Sequence, residues 1–460
     1  MLSDRERDVP HGNYPPRAHE ASKRGQVRAG HPAATRPRAH VNGFRHTKSP
    51  TYPSPMRILK VWDGEYPWDV RAKKVCEALT AAGHEVHMVA RNRDARIERE
   101  ALPECVVHRL RPWGFLGKRL SAASQFPAFF NPRWIELAYR TAQAEACELI
   151  LVRDLPLAPS AIFVGGLLEL PVVLDMAENY PAMIRDLWTT RSTRFGDGLV
   201  RNPKAVEAIE RWTLARIDHT VVVVEESRDR LVRDLGAPPA RITIVGNTPP
   251  LSRLAAPAPS RHRATDADAP PLQLVYLGLL EHGRGVGTAI DAVAICRARG
   301  VPLRFTVIGD GRARSDFEAQ CTRLRLDDGQ VRLLGYIQYE EALKIVGEAD
   351  AGIIPHLANE SWNTTIPNKL FDYMAAALCV VTSDAKPAQR VVDEEGAGVS
   401  FPSGNAAALA DALEGLWRAQ DAAERGRRGY DAVRRRYHWE QDARRLQQVV
   451  ARFARTRAPG

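Results

Sequence analysis

The sequence has few cysteines and no arrangement of them that is typical of a disulfide framework or a metal site. Its 460 residues include six cysteines, which stand far apart without a CxxC pair or a Cys/His metal spacing. This usage is typical of buried free thiols, so we expect a reducing, cytoplasmic compartment and no disulfides. The cysteines are Cys76, Cys105, Cys147, Cys296, Cys321 and Cys379.

The sequence also lacks an uninterrupted apolar stretch. Residues 155–174 form the longest apolar run, but three prolines and a glutamate interrupt it. A helix that crosses a bilayer needs about 20 predominantly apolar residues. The run therefore predicts a helix followed by a strand, and we expect no transmembrane segment.

Most of the net positive charge lies in the first 55 residues, and the rest of the sequence has little. The formal net charge is +10, and residues 1–55 contain ten Lys or Arg against four Asp or Glu. The small excess elsewhere argues against a nucleic-acid surface, which needs clustered basic residues. Residues 1–55 have no apolar periodicity and are predicted to be a disordered basic tail. Because Met56 directly precedes the first predicted strand, we expect translation to begin there and activity to survive deletion of the tail.

Strand and helix patterns alternate in two successive sets, as is typical of two α/β domains with parallel sheets. Residues 56–250 hold the first set, residues 272–430 hold the second, and residues 251–271, rich in Pro, Ala and Asp, are the predicted linker. The clearest helix pattern covers residues 70–82. Strands are predicted at 58–62, 86–90, 149–152, 172–174, 220–224, 272–277, 303–308, 351–354 and 379–381.

The most informative motif is residues 363–381, NTTIPNKLFDYMAAALCVV. Thr364 and Thr365 are good helix caps, and the proline that follows suits a first helical turn. Lys369 and Asp372 then lie near the start of a short helix, where free backbone N–H groups favour phosphate. A buried strand follows the helix. The predicted buried face of the helix consists of Leu370, Phe371, Met374 and Leu378.

This motif resembles the signature of the retaining glycosyltransferases of family 4, which have the GT-B fold. The usual form of the signature has two glutamates separated by seven residues. Here Thr364 stands at the first acidic position and Asp372 at the second, and Ala377 and Cys379 replace the usual glycine and proline.

The resemblance covers nearly everything after Met56. It implies an α/β protein with two Rossmann-like domains that face each other across a cleft. It also implies that residues 431–460 include a helix that returns to the first domain.

The resemblance further implies a nucleoside diphosphate sugar as the donor. Asp372 would bind its ribose, and Arg284 would bind its diphosphate, because arginine pairs with phosphate oxygens in a bidentate manner. Leu279 replaces the first of two basic residues that are usual in this glycine-rich loop. The predicted donor-binding residues are Gly278, Arg284, Asn363, Thr364, Thr365, Lys369 and Asp372.

Two loops of the first domain resemble acceptor-side segments of the family. Residues 62–71, WDGEYPWDVR, are similar to its YPxDxR loop, and residues 175–181, DMAENYP, are similar to its DxHE loop with Ala177 in place of the histidine. Glu178 is the candidate for the proton role of that histidine, and no nucleophile is assigned. The predicted acceptor-side residues are Trp62, Tyr66, Trp68, Arg71, Asp175 and Glu178.

Alternatives stay open for these acceptor-side residues. The tryptophans look exposed, and they either stack on an acceptor or pack between the domains. Arg71 either faces phosphate or pairs with Asp69, while Asp175 and Glu178 are either reactive groups or structural carboxylates. Residues 112–134 mix aromatic and basic side chains, which fits either peripheral contact with the inner face of the cell membrane or ordinary core packing.

The family resemblance implies transfer of a sugar, with retention, to a saccharide or lipid-linked saccharide hydroxyl in glycan or polysaccharide biosynthesis. It implies no cofactor, no metal and no nucleic-acid partner. Two alternatives stay open: a nucleotide-sugar epimerase of the same fold, and a catalytically impaired binding or scaffold protein of a glycan-assembly complex.

Overall fold

The structure analysed is a computed structural model. The tail, Trp68 and most of the predicted linker lie outside the residues that it describes. It describes residues 55–454 except Trp68 and residues 114–116, 127–128, 191–201, 255–269 and 327–328.

Eight strands form the sheet of the first domain. They are β1 (Arg57–Val61), β2 (Glu85–Ala90), β3 (Arg99–Leu102), β4 (Cys105–Arg109), β5 (Leu149–Arg153), β6 (Val172–Met176), β7 (His219–Val222) and β8 (Ile242–Ile244). Their order is β3-β4-β2-β1-β5-β6-β7-β8. All neighbours pair in parallel except β3 and β4, which form an antiparallel hairpin at one edge.

Helices cover both faces of this sheet, because successive side chains of a strand point to opposite faces. Ile58 of β1 packs in a cluster with residues of α1, while Leu59 packs with residues of α3 and α4 on the other face. The helices of the domain are α1 (Val70–Ala81), α2 (Gly117–Ser124), α3 (Pro132–Ala144), α4 (Ala158–Leu168), α5 (Tyr180–Thr190), α6 (Pro203–Leu214) and α7 (Glu225–Leu235).

The second domain has a six-stranded, wholly parallel sheet. Its strands are β9 (Leu272–Leu277), β10 (Leu303–Ile308), β11 (Val331–Gly335), β12 (Ala351–Ile354), β13 (Cys379–Ser383) and β14 (Gly398–Phe401). The order is β11-β10-β9-β12-β13-β14. The carboxyl ends of β9, β10 and β12 meet at one edge, and that edge carries the glycine-rich loop.

The helices that follow the first strand of this domain are α8 (Val286–Ala298), α9 (Arg314–Arg323), α10 (Tyr339–Gly347), α11 (Lys369–Ala375), α12 (Lys386–Glu395), α13 (Ala406–Ala419), α14 (Ala422–Arg435) and α15 (Trp439–Ala451). The four residues predicted to form the apolar face of α11 are all buried, at 0–4% exposed, although Leu378 follows the end of the helix. The predicted caps are wrong: α11 begins at Lys369, with Asn368 at the N-cap position. Thr364 and Thr365 lie too far upstream to cap it.

Helix α15 returns to the first domain, as predicted. Trp439 and Leu446 pack in the same apolar cluster as residues of β1 and α1. Gln447 Nε2 donates to the carbonyl of Ala78 in α1 at 2.9 Å, and the Thr248 hydroxyl donates to Asp442 Oδ2 at 2.7 Å. The chain therefore contains two Rossmann-like domains joined by a final helix that belongs to the first.

Charged side chains also join the two domains. Arg390 of α12 pairs with Glu225 at 2.7 Å and with Glu226 at 2.6 Å, both at the start of α7. All six cysteines are buried free thiols, as the sequence predicts. Among the described helices, none is both long and apolar enough to span a bilayer.

Candidate active site

A positively charged recess lies where β9 ends. Gly278 follows the strand with a φ of +147°, and a Cβ there would lie 2.8 Å from Lys369 Nζ. This glycine both permits the turn and leaves room for the ammonium group. The loop after β9 and the start of α11 therefore meet at one point, as the sequence predicts for Gly278 and Lys369.

The Lys369 ammonium group is buried without a counter-charge in direct contact. Its side chain is 8% exposed, and Nζ has no hydrogen-bond partner among the described residues. Nζ lies 3.8 Å from the centre of the Tyr276 ring, a cation–π contact. Burial lowers the pKa of Lys369 well below its usual value, and nearby Arg284 lowers it further. Such a group is poised to accept an anion.

Arg284 is the second base of the recess. Two residues that the sequence did not single out, His356 and Trp362, lie beside it. The Arg284 guanidinium lies 4.5 Å from the centre of the Trp362 ring, and the ring of His356 lies 4.0 Å from that same centre. His356 is fully buried, and neither ring nitrogen has a partner among the described residues. Burial, together with Lys369 and Arg284, lowers the pKa of His356, so its ring is neutral.

Asp372 lies on the first turn of α11 beyond Lys369. It accepts a hydrogen bond from the Tyr339 hydroxyl at 2.9 Å. Burial raises the pKa of Asp372, although this hydrogen bond and the charges of Arg253 and Lys74 oppose the shift. Tyr339 thus holds the Asp372 carboxylate in place, and the Asp372 side chain is half-buried.

The polar residues at the start of the 363–381 motif bridge the two domains. Asn179 Nδ2 donates to the Thr364 hydroxyl at 3.0 Å, and the Thr365 hydroxyl donates to the carbonyl of Ala177 at 3.2 Å. Asn363 Oδ1 accepts from the backbone N–H of Lys386 at 3.1 Å and so helps to begin α12. These three predicted donor-binding side chains are already engaged within the protein, and two of them bond residues of the first domain.

Glu178 faces the positive recess from the first domain. Its side chain is exposed to the cleft, yet protein atoms crowd its carboxylate, and this desolvation raises its pKa to about 7. The negative charge of Asp154 adds to the shift, whereas Arg284 opposes it. A carboxylate with a pKa near neutrality can exchange a proton at physiological pH.

Arg71 and Asp175 form a buried ion pair that the sequence did not predict. Arg71 Nη2 lies 2.5 Å from Asp175 Oδ1, and Lys60 Nζ lies 3.7 Å from Asp175 Oδ2. Arg71 also donates to the carbonyls of Val245 and Gly246 at 3.2 and 3.0 Å. Burial by itself raises the pKa of Asp175, but Arg71 and Lys60 outweigh it and lower the pKa to about 2.

The structure therefore corrects two sequence expectations for these residues. Arg71 is 2% exposed and Asp175 is 1% exposed, so neither side chain is open to an acceptor. Arg71 does not pair with Asp69, which instead caps α1 through the backbone N–H of Ala72 and contacts Arg153. The ion pair of Arg71 with Asp175 of β6 thus holds in place Val245 and Gly246, the residues that follow β8.

The aromatic residues of the first loop are also more buried than expected. Trp62 is 8% exposed and Tyr66 is fully buried, and both belong to the core of the first domain. The Tyr66 hydroxyl donates to Glu104 Oε1 at 2.8 Å. Neither ring is presented for stacking on a sugar, and Trp68 lies outside the described residues.

A cavity of about 440 Å³ lies between α7 and residues 359–364. Its charged groups are largely paired within the protein: Arg230 with Glu210, and Arg233 with Asp234. It therefore has less unbalanced charge to offer than the recess at Lys369. Its lining residues are Glu226, Asp229, Arg230, Arg233, Asp234, Asn359, Glu360, Asn363, Thr364 and Lys386.

Both domains match models of glycosyltransferase families. Residues 69–248 match the "Glycosyl transferase 4-like domain", and residues 271–419 match "Glycosyl transferases group 1". The two matches adjoin along the chain in the order that the two sheets have in the structure. Together with the paired Rossmann-like domains, they show that the chain belongs to the GT-B glycosyltransferases.

Curated relatives include an amylovoran biosynthesis glycosyltransferase and a glycogen synthase. The amylovoran biosynthesis glycosyltransferase AmsK of Erwinia amylovora is 33% identical over 153 residues, which are 32% of this chain and 36% of that protein. A glycogen synthase of Mycobacterium tuberculosis is 25% identical over 414 residues, which are 86% of this chain and 94% of that protein. The match to AmsK thus spans about a third of each protein, whereas the match to glycogen synthase spans most of both.

Solved structures show the same fold. HepE of Anabaena, in complex with UDP-glucose, superposes with a TM-score of 0.62 at 14% identity, over 86% of this chain and all of that chain. At this identity the likeness concerns the fold alone.

Proposed function

We propose that this protein transfers a sugar, with retention of configuration, from a UDP-sugar to a hydroxyl of a saccharide or lipid-linked saccharide. The observation that carries the proposal is the buried Lys369 ammonium group, which has no hydrogen-bond partner among the described residues. Burying a charge without a partner costs several kcal/mol, so such a group is rarely kept without a ligand. A diphosphate placed beside Gly278 would supply the opposite charge.

Arg284 and Lys369 would neutralise the diphosphate as it leaves the sugar. Preformed positive charge stabilises a transition state most where negative charge develops, because it needs no rearrangement during the reaction. These two bases serve in place of a metal ion in this proposal. Lys369 would also take over the charge that Leu279, an exposed apolar residue, does not provide in the loop.

Asp372 would bind the ribose, held in orientation by Tyr339. Uridine is the proposed base because HepE, with the same fold, binds UDP-glucose in its crystal structure. The backbone after β11 would contact the base. This part of the proposal rests on the shared fold.

Glu178 is the proposed first-domain group nearest to the reacting centre. It lies on the opposite side of the cleft from Arg284, close enough for the two charges to interact. In front-face transfer the departing phosphate assists the attacking hydroxyl, and Glu178 would receive or orient the hydroxyl's proton. Buried Asp175 and Arg71 would act only by holding the first domain's carboxyl edge in place. A cytoplasmic location, with acceptors at the inner membrane face, is part of the proposal.

A thermal-shift panel tests the donor site. The ligands are UDP, GDP, ADP and their sugars at millimolar concentration, with uridine as the control that lacks phosphate. A ligand that binds only the folded protein raises its unfolding temperature by mass action. We expect UDP and a UDP-sugar to stabilise the protein and uridine to have little effect. No stabilisation by any diphosphate would overturn the proposal.

The reaction itself is tested by product analysis with the donor sugar that stabilises most. We expect a new glycosidic bond of the donor's anomeric configuration only when a saccharide acceptor is present. Conversion of the donor without an acceptor would instead identify an epimerase. Tight donor binding without either reaction would support a binding protein.

A further inference from the structure

We propose that His87, His108 and Glu145 form a zinc-binding site in the first domain, remote from the cleft. His87 lies on β2, His108 lies on β4, and Glu145 directly follows α3. One ligand atom of each lies within 4.8 Å of the other two. The group is independent of the proposed reaction.

Strand alternation brings the two histidines to one face of the sheet. Val86 and Met88 of β2, and Val107 of β4, pack in the cluster that contains α1. Side chains at the intervening positions, His87 and His108, therefore point to the opposite face, which α3 covers. In the parallel pairing of β2 with β4, His108 is opposite Val89, so His87 is its diagonal neighbour on the same face, and the two ring centres are 5.6 Å apart.

The distance between the two ring nitrogens fits a tetrahedral metal. His87 Nδ1 and His108 Nε2 are 3.3 Å apart. Two nitrogens that each lie about 2.0–2.1 Å from a tetrahedral zinc ion are separated by about 3.3–3.4 Å. The rings thus already have the spacing of two zinc ligands.

Glu145 supplies the third ligand atom. Its Oε2 lies 4.0 Å from His87 Nδ1, and its Oε1 lies 3.8 Å from His108 Nε2. Its side chain is 25% exposed, so a small rotation would bring an oxygen into coordination. Arg99 lies 3.5 Å from Oε1 with an exposed side chain that can move aside. Water would occupy the fourth position from this exposed side.

Glu85 lies next to His87 but outside the three ligands. Its Oε1 is 3.2 Å from His87 Nε2, without the geometry of a hydrogen bond. A histidine that binds a metal generally gives its other N–H to a carboxylate or carbonyl, which fixes the tautomer and orients the ring. A small rotation of Glu85 would let it accept the Nε2–H of the fully buried His87, which would leave Nδ1, the nitrogen that faces His108, as the ligand atom.

The position of the group indicates a structural role. The backbone N–H of Glu148 donates to the carbonyl of Arg57 at 2.8 Å, which places the end of α3 at the start of β1. The cleft lies at the other, carboxyl edge of the same sheet. Zinc there would fasten the end of α3 to β2 and to β4, the strand that carries the edge hairpin.

Titration of the chelator-treated, full-length protein with Zn²⁺ tests the proposal by calorimetry, on a chain purified without a histidine tag. We expect one zinc ion per chain. His108→Gln and Glu145→Gln should abolish or strongly weaken binding, and Glu85→Gln should weaken it about 10- to 100-fold. The matched control is His219→Gln, because His219 is also buried in this sheet but bonds Thr243 instead. That variant should bind as the wild type does.

Cobalt substitution gives a readout that does not depend on stability. Co²⁺ in the wild-type site should show the visible absorption of a tetrahedral complex, and Glu145→Gln should lose it. Absence of zinc binding by the wild type would overturn the proposal, since the two rings then share only an N–H···N hydrogen bond. Binding that survives both ligand variants would also overturn it.

Discussion

Two groups of basic side chains, one in each domain, differ in whether the protein supplies their counter-charge. In the first domain, Arg71 and Lys60 lie beside Asp175, whose pKa they lower to about 2. In the second domain, buried Lys369 and half-buried Arg284 each lie over an aromatic ring, and no carboxylate of the described residues contacts them. Burial makes a charge costly in both places, but only the first group offsets the cost internally. The difference separates a structural ion pair from a binding site.

The largest expected effect is on stability, from Asp175→Asn. Removing this carboxylate leaves two buried cations without the counter-charge that it supplies, which costs about 3–5 kcal/mol. Urea unfolding measures the change. The control is Asp234→Asn, because Asp234 is in an exposed ion pair with Arg233 and should change stability by less than about 0.5 kcal/mol. Equal effects of the two variants would contradict a structural role for Asp175.

Lys369→Gln should affect ligand binding and not lower stability, in contrast to Asp175→Asn. It removes a buried charge that has no partner, so the ligand-free protein should be as stable as the wild type or more stable. Affinity for UDP should fall by roughly 10- to 150-fold, the loss of one charge-assisted hydrogen bond of about 1.5–3 kcal/mol. Lys344→Gln is the matched control, on an exposed position of α10. Lower stability of the ligand-free variant with unchanged UDP affinity would place Lys369 among the structural bases.

Arg284→Lys should weaken UDP binding by about tenfold, because lysine keeps the charge but loses the bidentate geometry. Isothermal titration measures this difference. Arg312→Lys is the control, since Arg312 is an exposed arginine in the same domain. If Arg284→Lys binds UDP as tightly as the wild type does, the arginine contributes only its charge.

Glu178 gives the expected pH dependence. With a pKa of about 7, its ionised fraction rises about tenfold between pH 6 and pH 8. If the ionised form takes a proton, the transfer rate should rise through this range in the wild type. Glu178→Gln should lower the rate and flatten the profile. A rise that persists in Glu178→Gln would assign the titration to another group.

The smallest expected effect is a fractional proton taken up when UDP binds. The pKa of Lys369 is low in the ligand-free protein, and a bound diphosphate would raise it again. Above the ligand-free pKa, binding therefore takes up protons, and affinity falls as the pH rises. Calorimetry in buffers of different ionisation enthalpy measures the uptake. Lys369→Gln should abolish it, and uptake that persists would indicate a different group.

The strands that the sequence predicted are central strands, and the strands that it missed lie at or next to an edge. Strands β9, β10 and β12 match their predicted residues, and each has neighbours on both sides. The missed strands are β3, β4, β8, β11 and β14, of which all but β4 end a sheet. A central parallel strand is buried on both faces and so has a continuous apolar sequence. Edge strands carry exposed polar residues and lose that pattern.

The sequence likewise predicted some residues of the candidate site and missed others. The sequence identified Gly278, Arg284 and Lys369, and the structure brings these three together. It did not identify His356 or Trp362, because a lone histidine or tryptophan has no spacing that distinguishes a site from a core position. The roles of all these residues in binding stay predictions until they are measured.

The sequence by itself determined two successive α/β domains, the glycine after β9 and the lysine and aspartate of the 363–381 motif, because apolar periodicity and turn chemistry act over short distances along the chain. Only the tertiary structure decided which charges are paired. Arg71 and Asp175 are 104 residues apart in sequence, and Lys369 is buried by strands that precede it by many residues. Desolvation and counter-charge depend on neighbours in space, and these decide which buried base supports the fold and which is free to bind a ligand.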